Sequence, residues 1–393
     1  MAVRLLSYEV ADLCLGKPPL RSLPVSATVA EALSVLKSSD SDSFIGVWSC
    51  ESHHAAAAAG DCRCLGKICM ADVICFLCEE PNLYSPSSAL KSPVSVLLPK
   101  VSGLVRHIEP SSSLLEAIDL ILQGAQNLVV PLKTNSRRKF QKSPSPISHN
   151  YCWLTQEDVI RFLLSSIGLF SPIASLPIDA LGLISEKFSA VGYHAPPHVA
   201  AGAIARSIAD QTSVAVVDDE NDGVLIGEIS PLTLACCNET AAAAAAAVAT
   251  LSAGDLMAYI DGGGPPDDLV RLVKARLKER NLEGMLEQFV LSSELPASLS
   301  PSASSSDEES STPTTPFQRT GRYGRSSSYS ARLVRRSEAI VCHPGSSLVA
   351  VMIQAIAHRV NYVWVVEDDC SLAGIVTFTG MLKVFREHLQ SME

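Results

Sequence analysis

One pattern constrains this 393-residue chain more than any other: a strand–turn–helix segment that recurs four times. It reads "CLGKICMADVICFL" (64–77), "YCWLTQEDVIRFLL" (151–164), "LIGEISPLTLACC" (225–237) and "LAGIVTFTGMLKVF" (372–385). An apolar β-type run precedes each: "SFIGVW", "NLVVPL", "SVAVVDD" and "NYVWVVEDD". Upstream of those runs lie helical stretches, "TVAEALSVLK" (28–37), "SLLEAIDLILQ" (113–123), "HVAAGAIARSIA" (198–209) and "SLVAVMIQAIAH" (347–358). A unit this small must bury its apolar face against its neighbours. The recurrence therefore predicts a mixed α/β (α+β) repeat protein. Thr28 with Glu31, Ser113 with Glu116 and Thr155 with Asp158 have capping-box spacing, which marks three helix starts.

Aligned on Cys69, Thr155, Ser230 and Thr377, the units stand 86, 75 and 147 residues apart, so the fourth is interrupted. The boundaries read 1–80, 81–170, 171–240 and 241–393, with an insertion over 262–336. The insertion opens with "PPDDLVRLVKARLKERN", an amphipathic helix with Leu269, Leu272, Val273 and Leu277 on one face. It continues into a Ser-, Pro- and Gly-rich stretch, 292–333, that is too polar to bury a core and reads as disordered. Smaller insertions fall in the hairpins of units one (49–63) and two (133–149).

The net charge of −10 gives no global field toward nucleic acid or anionic membrane. The N-terminus carries Glu9 and Asp12, unlike a transit peptide, and lacks a signal peptide's apolar core. The most membrane-like stretch, 241–260, is mostly Ala and is broken by Gly254 and Asp255. These features predict a cytoplasmic protein, with the nucleus as the alternative. The twelve cysteines read as reduced core residues. Cys50, His53, His54, Cys62 and Cys64 lack zinc-finger spacing, and no metal is expected. No Walker loop, HExxH or GxSxG occurs, and no nucleophile sits beside a base in sequence. The chain reads as a non-enzyme.

The unit, with its Gly-x-φ-[Ser/Thr]-x-x-Asp ending (φ apolar), resembles the cystathionine β-synthase (CBS) domain. Four such units resemble two tandem CBS pairs, or Bateman modules. The similarity extends to plant proteins with two pairs and a Ser-rich insertion in the fourth unit, on the stretches "LCLGKPPLRSL", "SVLLPK", "WLTQEDVI", "LSAGDLMAYIDG" and "SEAIVC". The resemblance implies a cleft between paired units that takes an adenosine-type ligand. The terminal Asp would meet the ribose hydroxyls, and the Ser or Thr the ribose or phosphate. Carried over, this nominates Thr155 and Asp158 in unit two, Asp72 in unit one, Ser230 in unit three and Thr377 in unit four. Cys152 replaces the usual Gly, Cys69 the hydroxyl, and Thr233 and Gly380 the acid, so only the first pair keeps both carboxylates.

The kinase gamma subunit, also built of four CBS units, reads phosphates with basic residues at the start of the second strand. Here those positions hold Gln126 and Asn127, Thr212 and Ser213, and Asn361 and Tyr362. Arg106, His107 and Arg359 are the nearby substitutes, or else solvated ends of elements. Two basic stretches, 133–142 and 317–336, read as solvated loops rather than nucleic-acid contacts. The second carries candidate phosphorylation sites at Thr312, Thr315, Ser326 and Ser337.

The expected function is a non-catalytic regulatory platform, monomeric or homodimeric, that senses an adenosine nucleotide or binds a partner protein. The alternatives are a gamma-like subunit of an SNF1-type kinase complex and a ligand-free scaffold. No other cofactor is expected.

Overall fold

The second strand of each unit is buried along nearly its whole length, as its unbroken apolar run requires when both faces are covered. The computed structural model describes residues 8–38, 44–49, 62–132, 151–220, 223–235, 240–261, 266–294 and 337–391. They form four three-stranded sheets, each with its strands in chain order. Unit one runs β1 (Ser22–Pro24), α1 (Val29–Lys37), β2 (Phe44–Trp48), β3 (Cys64–Cys69) and α2 (Met70–Cys78). Unit two runs β4 (Val105–His107), α3 (Leu114–Leu122), β5 (Asn127–Pro131), β6 (Tyr151–Thr155) and α4 (Gln156–Ser165). Unit three runs β7 (Ser189–Gly192), α5 (Pro197–Asp210), β8 (Val214–Val217), β9 (Leu225–Ile229) and α6 (Pro231–Ala235). Then come α7 (Ala241–Thr250), α8 (Ala253–Ile260), α9 (Asp267–Glu279) and α10 (Glu283–Glu294). Unit four closes with β10 (Val341–Cys342), α11 (Leu348–His358), β11 (Tyr362–Val366), β12 (Leu372–Thr377) and α12 (Phe378–Ser391).

In every unit the first strand pairs parallel with the second through a helical crossover, and the third returns antiparallel. Helix starts follow local chemistry. Thr28 and Glu31 form the full capping box, Glu31 N–H donating to Thr28 Oγ1 at 3.2 Å and Thr28 N–H to Glu31 Oε2 at 2.7 Å. At α3 the box is half made: Ser113 Oγ accepts from Glu116 N–H at 3.1 Å. Unit three starts α5 with Pro197, whose missing N–H has no intrahelical partner at that position.

Two cores cross between the pairs. One joins units one and three with α7, α9 and α10; the other joins units two and four. Thus α2 packs on α5, α6 and α7, while α3 and α4 pack on α11 and α12. Arg386 of α12 makes a two-pronged bond to Asp119 of α3, at 2.7 and 3.2 Å. Units of different pairs therefore share their cores within the one chain.

The Ala-rich stretch is a buried helix. All ten residues of α7 are buried, among α2, α5, α9 and α10. Ala is the best helix former and its small side chain lets neighbouring helices approach closely. Two arginines finish the helix: Arg280, the C-cap of α9, donates to Ala249 O at 2.9 Å, and Arg276 of α9 donates to Thr250 O. No helix among the described residues is long and apolar enough to cross a membrane. The amphipathic reading of the insertion holds in α9, which buries Val273 and Leu277. Helix α10 extends to Glu294, so residues 292–294 are helical rather than part of the polar stretch. The rest of that stretch lies outside the described residues, apart from its last neighbour Ser337.

Candidate functional site

The third strand ends on Cys69, Thr155 and Thr377 in units one, two and four, and on Ile229, one residue before Ser230, in unit three; each of the four stands where strand passes into helix. Thr155 and Asp158 form a complete capping box. Asp158 Oδ2 accepts from Thr155 N–H and Thr155 O–H, both at 2.7 Å, and Asp158 N–H returns to Thr155 Oγ1 at 3.3 Å. The same Oδ2 takes an ion pair from Lys17, whose ammonium also donates to Trp153 O at 2.8 Å. No described residue bonds Asp158 Oδ1, which leaves one carboxylate oxygen for a ligand. In unit one Asp72 Oδ2 accepts from Cys69 N–H at 2.7 Å. Burial pushes the Asp72 carboxyl above the usual range, against the opposing pull of the Cys69 bonds and Lys67.

The second pair differs. Ser230 is buried and accepts from Leu232 N–H at 3.3 Å, and Thr377 accepts from Gly380 N–H at 3.2 Å. Thr233 Oγ1 bonds back to Ser230 O at 2.9 Å. The hydroxyls there serve their own helices.

The sequence reading passed over the residue two positions before each cap: Lys67, Trp153, Glu228 and Ile375. Strand alternation puts it on the same face as the cap, and that face looks into the joint between paired units. Lys67 reaches across the first pair to Asn127 Oδ1 at 2.8 Å, lies 3.6 Å from the centre of the Phe44 ring and 5.8 Å from that of Trp153. Burial lowers its ammonium to about 8, opposed by Cys69, Asp72 and Asp158. Glu228, fully buried in the second pair, accepts from Tyr362 O–H at 3.0 Å and from Trp364 Nε1–H at 2.7 Å. An ionisable residue inside an otherwise apolar strand was the signal available for both.

The phosphate candidates stand in three different settings. His107 Nε2 accepts from Cys64 N–H at 3.1 Å, and its ring packs edge-on to Trp48 and Tyr151. Burial, aided by Arg63, lowers its pKa, in keeping with a neutral acceptor nitrogen. Arg106 lies half-buried on β4 beside Gly103, and Arg359 is the exposed, left-handed C-cap of α11. Ser337 is buried, its carbonyl accepting from Glu228 N–H at 2.9 Å. Thr312, Thr315 and Ser326 lie outside the described residues. Among the described residues no group of three or more His, Cys, Asp or Glu is placed to hold a metal.

The Gly-to-Cys change in unit two also has a geometric cause. The glycine of each other unit lies under a segment leading into its paired unit. A Cβ at Gly66 would fall 2.6 Å from Leu98, one at Gly227 2.6 Å from Ser337 O, and one at Gly374 2.8 Å from Ser185 O. Over unit two the crossing segment is 14–20, held by Leu20 N–H to Tyr151 O at 2.8 Å. There Cys152 meets Cys14, thiol to thiol, and that bond with burial raises the Cys14 pKa.

The CBS domain family matches residues 332–387, within unit four. Across its whole length the chain is 50% identical to the CBS domain-containing protein CBSX5 of Arabidopsis thaliana, with all of that protein covered. The chain belongs to the CBS domain-containing proteins. A second relative, 22% identical over 99% of this CBS protein and 97% of its own length, is the SNF1-related protein kinase regulatory subunit gamma-like PV42b of Arabidopsis thaliana. Among solved structures, protein MJ1225 of Methanocaldococcus jannaschii, described as an archaeal homologue of g-AMPK, aligns with a TM-score of 0.53 at 14% identity. It covers 96% of this chain and 100% of that one, so the four-unit CBS architecture is shared as a fold.

Proposed function

We propose that this CBS protein is a non-catalytic regulatory subunit or sensor whose first pair takes an adenosine-type ligand and whose second pair is structural. The observation that carries the reading is the asymmetry between the joints. The first keeps Asp72, Asp158, Thr155, Asn127 and Lys67 around its centre, whereas the second has no acid at the two helix starts and satisfies Glu228 with its own Tyr362 and Trp364. Asp158 Oδ1 suits a ribose diol, and Lys17 holds the other oxygen in place. Ligand in that joint would bias how units one and two pack, and through the shared cores how the second pair sits.

A thermal-unfolding screen with ATP, ADP, AMP, adenosine and S-adenosylmethionine tests this. A ligand at 100 times its Kd stabilises by about 2.7 kcal/mol, and the shift should vanish in Asp158→Ala. A stable protein that responds to none of the five would sink the reading. The gamma-like kinase relative supports a second reading, attachment to a kinase complex. Co-purification of kinase subunits from the native cell decides it, and their absence under conditions that preserve such complexes counts against it.

A further inference from the structure

At three of the four equivalent third-strand positions a crossing segment demands glycine: Gly66, Gly227 and Gly374. Unit two instead carries Cys152, and the segment crossing over it supplies a second thiol, Cys14. Cys14 to Lys17 form a β-turn, Lys17 N–H donating to Cys14 O at 3.2 Å, with Gly16 at φ +75° in the position that takes a left-handed backbone. The turn sets a thiol and an ammonium side by side on unit two. There Cys14 donates to Cys152 Sγ and Lys17 pairs with Asp158. Lys17 and Asp158 act electrostatically on both thiols, so the four groups lie together. Packing alone accounts for one buried thiol, which behaves as a small apolar group. Two that meet head to head are also the reduced half of a disulfide couple, because side chains that point at each other meet the first geometric requirement of that bond.

We propose that Cys14 and Cys152 are a reversible disulfide site, and that the bond straps segment 14–20 to unit two. Strand β1 of unit one begins at Ser22, and Leu20 N–H already donates to Tyr151 O at 2.8 Å. The strap therefore fastens unit one to unit two and fixes Lys17 on Asp158. It needs no ligand and stands apart from the adenosine reading. The oxidant is a small-molecule disulfide such as glutathione disulfide. The segment is anchored by Val10 N–H to Ser112 O, Ala11 N–H to Pro110 O and Leu20 N–H to Tyr151 O; between these anchors no backbone bond joins residues 12–19 to unit two among the described residues. Such a stretch opens locally, and Cys14, 7% exposed against none for Cys152, meets solvent first. Its thiolate attacks one sulfur of the glutathione disulfide, and one glutathione leaves as the thiol. Cys152 Sγ then attacks the Cys14 sulfur of the mixed disulfide, and the second glutathione leaves. The bond from Cys14, with Lys17 pulling the same way against burial, holds Cys152 below the usual thiol range, which favours the attacking thiolate. Two protein S–H bonds and one glutathione S–S bond break, one protein S–S and two glutathione S–H bonds form, and two electrons pass to the oxidant.

Peptide mapping of the whole chain tests this, after incubation with glutathione disulfide or with dithiothreitol, blocking with iodoacetamide and digestion. The oxidised sample should contain a Cys14–Cys152 cross-linked peptide that dithiothreitol removes, while Cys370, an exposed thiol, carries glutathione alone. Amide hydrogen exchange over residues 14–20 should be at least about tenfold slower in the oxidised chain, and Cys152→Ser should abolish that difference. The mapping uses no variant, so it does not depend on how Cys152→Ser folds. Glutathione retained on Cys14 without a cross-link overturns the site, as does Cys14 joined to any other cysteine. Cys14 and Cys152 both alkylated while Cys370 is modified overturns it too. A cross-link that leaves exchange unchanged upholds the disulfide and overturns the strap.

Discussion

At the scale of single residues, what was legible was local. Thr155 and Asp158 stand three apart at a helix start, and the structure makes both bonds of the box. Lys17 completes the same carboxylate from 141 residues away, a relation no local pattern encodes. The glycines show the converse, a residue type demanded by a distant backbone. A Cβ at Gly374 would press on Ser185 O and on Ile184, so Gly374→Ala should cost about 1–3 kcal/mol by overpacking. Urea unfolding measures this, and a loss under a few tenths would show that the crossing segment moves freely. Lys67 gives a pH signature. Its folded value of about 8 lies below the ordinary 10.5, so between those values the unfolded chain binds more protons and stability rises with pH. The titratable groups around it are Cys69, whose thiol burial pushes well up, Asp72, Asp158 and Lys17. Lys67→Met should flatten the rise across that window, as followed by chemical denaturation at stepped pH; an unchanged slope would assign it to another group.

At the scale of elements, periodicity served best where one face met water. Helix α9 was readable because its apolar stripe of Leu269, Leu272, Val273 and Leu277 opposes charged positions. Helix α7 has no stripe, since an all-Ala surface is equally apolar in every direction, and only the surrounding helices tell that it is a central core element. Packing against four neighbours leaves no room for larger side chains. Ala246→Leu should therefore destabilise the chain by about 1–3 kcal/mol or more, lowering the midpoint of thermal unfolding without changing helix content below it. A neutral effect would mean that α7 is loosely held. The second strands of the units were legible for a different reason from α9, as short unbroken apolar runs bounded by turns.

At the scale of the molecule, recurrence implied four units that depend on one another, and the two cross-pair cores supply that dependence. Arg386 and Asp119 tie unit four to unit two at the surface of one core. Because Asp119 is 42% exposed, the pair should contribute modestly: a double-mutant cycle with Arg386→Ala and Asp119→Ala should give a coupling of about 0.2–1 kcal/mol. Zero coupling would leave apolar burial as the whole of the contact. On the proposed reading, a ligand between units one and two would act on the second pair without touching it, because α2 and α4 lie against α5 to α7 and α11 to α12.

The order of elements, the helix starts and the two acids kept by the first pair were determined by the sequence itself, because each depends on neighbours within a few positions. Which faces meet was decided only in the tertiary structure. It set Lys17 on Asp158, turned His107 into an acceptor and buried Ser337. It also placed Lys67 and Glu228 at equivalent points of two joints, one donating to Asn127 and the other accepting from Trp364. The physical reason is that burial, and hence the need for a hydrogen-bond partner, belongs to surfaces brought together from distant parts of the chain.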